Sequence, residues 1–352
     1  MEIKKFLELA LNQKASDLHL VVGAPPMLRI DGVIAPVPGE AALTEERAKE
    51  LIFTLVNEEQ KEIILVNKEL DFSFSFEDRA RFRVNAYHQK SHLSAALRLI
   101  PLTIPTIDEL SLPQICHSFA RLKQGFVLVT GPTGHGKSTT LAAVIDEINQ
   151  TRKEHIITIE DPIEYVFAHK ESIISQREMK ADTHSWEIAL RSVLREDPNV
   201  VMVGEMRDYE TVAAALTVAE TGHLVFATLH TNSAAQSIDR IVDVFPPHQQ
   251  GQIKMQLSLT LEAVFSQRLL PAIQGGRVVA AEVMTATQAV KTSIREGKVH
   301  LLDNIIQTSA ELGMKTLEMD LADLVRTGKV SLEVAKGYAL RPGDLMRQVK
   351  EK

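Results

Sequence analysis

The sequence predicts an α/β protein of two domains with a helical C-terminal region, and three observations carry that reading. The chain has 352 residues, more than one domain of roughly 150 residues usually holds. Between Phe72 and Tyr87 apolar and polar residues alternate strictly, the mark of half-buried antiparallel strands. Beyond Thr106 short β-branched runs alternate with helical stretches, the rhythm of a parallel sheet with crossover helices.

The elements follow in order. Leu43 to Leu65 is rich in Glu, Lys and Leu without Gly or Pro, and Thr44-Glu45-Glu46-Arg47 reads as a helix start. Phe72, Phe74 and Phe76 face away from Ser73 and Ser75; Phe82, Val84 and Ala86 face away from Arg81 and Arg83. That is a hairpin turning near Glu77-Asp78, so residues 1–100 form an α+β domain. Pro101 and Pro105 favour extended backbone and place a linker at 101–113. The buried-strand candidates of the second domain, 114–270, are Phe126–Thr130, His155–Ile159, Val200–Val203 and Leu224–Thr228, with helices at 138–149, 186–196 and 209–221. From Gln252 onward Ile253, Leu257, Leu261, Val264 and Phe265 recur at helical spacing, and 271–352 is expected to be mostly helical.

Composition excludes several classes. With 45% hydrophobic and 24% charged residues the chain is globular, not disordered. Cys116 is the only cysteine, which excludes an internal disulfide and a thiolate-rich zinc module and indicates a cytoplasmic setting. Acids at Glu2 and Glu8 interrupt any signal-peptide core, and no run reaches the ~18 apolar residues of a membrane span. A net charge of −7 argues against general nucleic-acid affinity.

Gly131-Pro132-Thr133-Gly134-His135-Gly136-Lys137-Ser138 matches G-x-x-x-x-G-K-[ST] between a strand and a helix. In that context glycines let backbone N–H groups turn inward around phosphates, Lys137 reaches the β- and γ-phosphates and the Ser138 hydroxyl binds Mg²⁺. The nucleotide-contacting set is Thr133, Gly134, His135, Gly136, Lys137, Ser138 and Thr139, with His135 only shaping the loop. ATP with Mg²⁺ is the expected ligand. Carboxylates that hold metal and activate water belong where parallel strands end. Glu160, Asp161 and Glu164 follow one strand, and Glu205 follows another. Gly204 stands where many such enzymes carry a metal-binding Asp, so Glu205 must supply that carboxylate. His223 and His230 lack a third ligand for zinc; His230 is either a structural histidine or a γ-phosphate sensor. The −7 total conceals an acid-free stretch from Arg79 to Ile107 holding Arg81, Arg83 and Arg98. It is either a solvated face or a source of arginines that reach bound phosphates; a nucleic-acid strip would look similar but needs a higher density of basic residues.

These residues carry a resemblance. Ala15-Ser16-Asp17-Leu18-His19-Leu20, Arg81-Phe82-Arg83-Val84-Asn85-Ala86, the phosphate loop, Thr158 to Glu164, Leu194 to Pro198, Val203 to Asp208 and Glu220 to Thr231 together resemble the PilT-type retraction ATPases of type IV pili, within the secretion-ATPase superfamily. The resemblance covers essentially the whole chain. It implies a PAS-like N-terminal domain and a RecA-like ATPase domain, joined in a homohexamer with ATP at subunit interfaces. It further implies that Glu205 acts near Mg²⁺ and the attacking water, that the acids at 160, 161 and 164 assist, that His230 senses phosphate, and that first-domain arginines complete the site. The implied place is the cytoplasmic face of the inner membrane, on a polytopic platform protein, with membrane association through that partner alone. Two stretches depart from the family. Its Ala-Ile-Arg-Asn-Leu-Ile-Arg-Glu motif is Ala289-Val290-Lys291-Thr292-Ser293-Ile294-Arg295-Glu296 here, and its Arg-Gly before the last strand of the first domain is Ser91-His92.

The nearest rival is a pilus-assembly or type II secretion ATPase. Such proteins usually add an N-terminal domain and a four-cysteine zinc insertion, against which one cysteine and 352 residues argue. A RecA-like nucleic-acid translocase and a nucleotide-binding regulator without turnover are rivals of other classes.

Overall fold

The computed structural model describes residues 2–30, 32–77, 79–100 and 103–350. It divides into two compact units. The first takes residues up to Thr103 together with Pro162–Val166; the second takes Ile104–Asp161 and 167 onward.

In the first unit, α1 (Glu2–Asn12) precedes β1 (Asp17–Leu20), β2 (Met27–Ile30) and β3 (Val33–Pro36). Two helices follow, α2 (Glu45–Phe53) and α3 (Glu58–Asn67), then β4 (Glu69–Phe76), β5 (Ala80–Gln89) and β6 (His92–Ile100). The Gly- and Pro-free stretch, whose expected helix start is at Thr44, holds two helices. Thr44 caps α2 through the N–H of Arg47, while Asn57 and Gln60 form a capping box that starts α3 anew. The expected hairpin is β4–β5, with Ser73 opposite Arg83 and Phe74 opposite Phe82; Asp78 of its turn lies outside the described residues. Alternate burial along β5 buries Phe82, Val84 and Ala86 and leaves Arg81 and Arg83 on the half-exposed face. The antiparallel sheet runs β3-β2-β1-β6-β5-β4.

Of the expected linker, Pro101 and Leu102 lie outside the described residues, and Thr106 and Glu109 cap one another in a turn beyond them. The second unit continues with α4 (Ile115–Arg121), β7 (Gly125–Thr130), α5 (Lys137–Thr151), β8 (His155–Glu160), β9 (Ile173–Glu178), α6 (Trp186–Val193), β10 (Val200–Val203), α7 (Tyr209–Glu220), β11 (Leu224–Leu229), α8 (Ala234–Asp243) and α9 (Pro247–Thr260). It closes with β12 (Leu261–Pro271), β13 (Arg277–Thr285), α10 (Gln288–Arg295), α11 (Leu302–Thr308), α12 (Leu317–Arg326), α13 (Leu332–Tyr338) and α14 (Pro342–Lys350). All four expected strands and the three expected helices are present.

The expected helix beyond Gln252 needs correction. Ile253 and Leu257 lie on α9, but Leu261, Val264 and Phe265 belong to β12. That strand is buried on both faces, and a strand without a solvent face shows no alternation to set it apart from a buried helix. Likewise 271–352 is helical only after β13.

The sheet order is β13-β12-β7-β11-β10-β8-β9; β12 to β9 run parallel and β13 antiparallel. All six residues of β7 are buried, as a strand covered on both faces requires. Cys116, on α4, is fully buried, and burial with the nearby Glu147 pushes its thiol up to about 12. Among the described residues no helix is long and apolar enough to cross a membrane.

One close approach fixes how β7 leaves the sheet. Gly131 has φ +146°, and a Cβ there would lie 2.4 Å from the backbone oxygen of Gln267 on β12. Gly134, with φ +79°, has open space around the same position. Gly134→Ala is therefore expected to cost about 1–2 kcal/mol of backbone strain, and Gly131→Ala clearly more. Urea midpoints of the two variants check this; equal midpoints refute the close packing of β7 on β12.

Candidate functional site

The sheet register assembles the site. Thr130 pairs with Leu229, and Val203 pairs with both Ala227 and Ile159, so the chain leaves β7, β11, β10 and β8 side by side at their C-terminal ends. Open parallel sheets bind ligands there.

The loop from Gly131 turns into α5 at Gly136, whose φ of +81° is left-handed. Thr133 and Gly134 are exposed at its tip, while Ser138 and Thr139 sit half-exposed on the first turn of α5. The 15-residue helix directs its unpaired N–H groups and positive dipole end at the loop. The Lys137 ammonium curls under the loop, donating to Gly131 O at 3.0 Å and Pro132 O at 3.1 Å. His135 anchors the loop to β12: its carbonyl accepts from Gln267 Nε2 at 2.7 Å, and its Nδ1 accepts from the Leu269 N–H at 2.9 Å. Burial, Arg268 and Lys137 hold the pKa of this imidazole below its ordinary value, keeping it neutral as that acceptor role demands. Its side chain is thus spent on the loop's shape.

His230 joins this loop to the acid. Its Nδ1 lies 3.1 Å from Thr133 Oγ1 and 3.4 Å from Lys137 Nζ, and its Nε2 lies 3.0 Å from Glu205 Oε1. The partners assign the Nε2–H tautomer, accepting on the loop side and donating to Glu205. Arg207 donates to the other Glu205 oxygen at 2.8 Å. Burial raises the pKa of Glu205, but Arg207 and His230 together outweigh it and hold the carboxyl below its ordinary value. Asp161 adds to the field on Arg207. Beside Glu205 and His230 opens a cavity of about 610 Å³, bounded on its far side by Gln236, Asp239 and Arg240 of α8.

Glu205 is itself held by backbone. Gly204 N–H donates to Ile159 O at 2.8 Å, the Thr228 hydroxyl donates to Gly204 O at 2.5 Å, and Met206 N–H donates to Thr228 O at 3.2 Å. A Cβ at 204 would meet Ile159 O at 3.2 Å and Glu160 Cα at 3.3 Å. Gly204 thus sits in a tight slot, where a side chain would require the end of β8 to give by a few tenths of an ångström.

The other candidates fall in different places. Glu160 is buried and accepts from Thr158 Oγ1 at 2.7 Å and Gln176 Nε2 at 3.2 Å, within the β8–β9 pair. Asp161 is exposed one residue further on. Glu164 falls in the stretch grouped with the first unit. Arg81, Arg83 and Arg98 belong to that unit as well, with Arg83 paired to Arg98 across β5 and β6. The Arg98 Nε bonds Asp17 at 2.9 Å, which engages it structurally. Sequence reasoning gave no role to Arg207, Gln267 or Arg268. The signal was Ser266-Gln267-Arg268, three polar residues inside an apolar run, all buried here.

A family model for type II/IV secretion system proteins matches residues 1–327. The chain belongs to this family. Among the relatives of this secretion-system protein is the type IV pilus retraction ATPase PilT of Pseudomonas aeruginosa, 47% identical over 342 residues, covering 97% of this chain and 99% of that protein. The crystal structure of the pilus retraction motor PilT with bound ADP superimposes with a TM-score of 0.92 at 46% identity, covering 98% and 99% of the two chains. Type II secretion system protein E of Klebsiella pneumoniae is 36% identical over 284 residues, which span 76% of this chain but 54% of that longer protein.

If Arg207 and His230 keep Glu205 ionised, Arg207→Ala should move the acid limb of the kcat/KM profile for ATP to higher pH. The sign follows because losing a cation raises a carboxyl pKa. A profile superimposable on the parent's sinks this account of Glu205.

Proposed function

We propose that this chain is an ATP-hydrolysing motor that works as a homohexamer and powers retraction of type IV pili. The supporting observation for hydrolysis is the contact chain from Thr133 and Lys137 through His230 to Glu205. The supporting observation for retraction is coextensive likeness to a retraction ATPase, whereas the secretion relative is nearly twice as long as its matched part.

The reaction is phosphoryl transfer from ATP to water, in which the protein mainly positions groups and stabilises charge. Backbone N–H groups of 133–139 cradle the phosphates, and Lys137 leaves the loop carbonyls for the β- and γ-oxygens. Glu205, kept ionised, accepts a proton from the attacking water or orients it. His230, donating to Glu205 and facing the loop, couples the acid's position to the γ-phosphate. A hydroxyl and a carboxylate suit a hard cation, so Ser138 and Glu205 would hold Mg²⁺, which neutralises phosphate charge when bound. Glu160, Asp161 and Glu164, at and just beyond the end of β8, assist. Arg81 and Arg83, with Arg98 once it leaves Asp17, supply phosphate contacts from the first unit of the same or a neighbouring chain, as arginine fingers do. Loss of the γ-phosphate then releases contacts bridging units, and the ring changes shape. The motor acts on a platform protein at the cytoplasmic face of the inner membrane.

Glu205→Gln should keep Mg-ATP binding and lose most turnover, at least ~100-fold, while Lys137→Ala should abolish binding. Fluorescent-nucleotide titration and phosphate release read both; near-parental hydrolysis in Glu205→Gln refutes its role. In cells, deleting the gene should leave surface pili that do not retract. Pili that fail to form would assign the chain to assembly instead.

A further inference from the structure

The segment carrying His230 is held from behind by two buried charged residues. Arg268, on β12 and 5% exposed, donates through Nη2 to Asn232 Oδ1 at 2.9 Å and to Asn232 O at 3.2 Å. Glu282, on β13 and 1% exposed, accepts the N–H of Ala234, the first residue of α8, at 2.7 Å. Their registers place them diagonally on one face of the β12–β13 hairpin, since Ser266 pairs with Glu282 and Arg268 with Ala280. Between them Asn232 N–H donates to Gln236 Oε1 at 2.6 Å and Thr231 Oγ1 meets Ser237 Oγ at 2.7 Å. The adjoining residues Gln267 and Leu269 hold His135, so one strand grips the loop on one side of His230 and the segment on the other.

A buried guanidinium and a buried carboxyl are costly to keep in a core, and here they are directed at Asn232 and Ala234, two residues apart on the segment that follows His230. We propose that Arg268 and Glu282 are positioning residues for ATP turnover: by fixing 232–234 they set where His230 holds Glu205. This rests on the reading of His230 and Glu205 given above. Neither residue touches the site; both act through His230. Burial raises Glu282, the Ala234 N–H lowers it, Asp303 and Glu318 raise it and Arg341 lowers it, leaving it up at about 7. The useful feature is thus an oxygen acceptor, present in either protonation state, rather than a fixed charge. An amide serves equally.

The test is single-turnover and steady-state ATP hydrolysis by the full-length assembled protein. Glu282→Ala should lower kcat about tenfold or more while leaving ATP affinity within about twofold, and Glu282→Gln should stay within about twofold of the parent. Because Glu282 acts through His230, Glu282→Ala in a His230→Ala background should lose little further activity. Multiplicative losses, an inactive Glu282→Gln, or parental kcat in Glu282→Ala overturn the proposal when His230→Ala is itself impaired. Parental kcat in His230→Ala overturns the underlying reading instead. Should Glu282→Ala not assemble, Arg268→Lys, which shortens the reach to Asn232, should lower kcat with unchanged affinity; parental kcat there overturns the proposal equally.

Discussion

The structure depends on the parallel pairing of β7 with β11 on one side and β12 on the other. The pairing with β11 brings Thr130 level with Leu229, so the phosphate loop and His230 leave the sheet as neighbours. The pairing with β12 brings Ser266 level with Thr130 and allows Gln267 O to lie where a Gly131 side chain would otherwise stand. A one-residue slip in either register would turn side chains to the opposite face and separate Lys137, His230 and Glu205. On the β12 side the buried hydroxyl pair of Thr130 and Ser266, 2.6 Å apart, and the close approach of Gln267 O to Gly131 are particular to the observed register.

On this frame the site is a series of polar groups each answered by the next. Lys137 is almost buried and satisfied by loop carbonyls, with His230 at its edge. His230 links to Glu205, and Glu205 to Arg207. A phosphate at the loop would draw the Lys137 ammonium from the loop carbonyls, and any shift of Lys137 changes what His230 Nδ1 faces. That is a physical route from the state of a phosphate to the position of an acid.

Much of this was legible in the residues because its causes are local. The loop announces itself through glycines that need left-handed backbone, and Glu205 and His230 through polar residues at the ends of β-branched runs. The β4–β5 hairpin was legible because one face is solvated, which imposes alternation. The division of α2 from α3 was written in Asn57 and Gln60 but masked by the lack of Gly or Pro. What could not be read depends on chain segments far apart. β12 has no solvent face and so no alternation, and the bonds from Gln267 and Arg268 to His135 and Asn232 join residues brought together only by the finished sheet. The crowding at Gly204 is of the same kind, since β8 supplies the obstruction.

Cys116 has a practical consequence for studying motion. As the single thiol in the chain, fully buried and with its pKa pushed to about 12, it carries almost no reactive thiolate at neutral pH. Cysteines introduced at exposed positions can therefore be modified with fluorophores in the otherwise native protein. Distances between two such dyes, followed on individual molecules during turnover, would then report movement of the labelled sites alone, without removal of the natural cysteine.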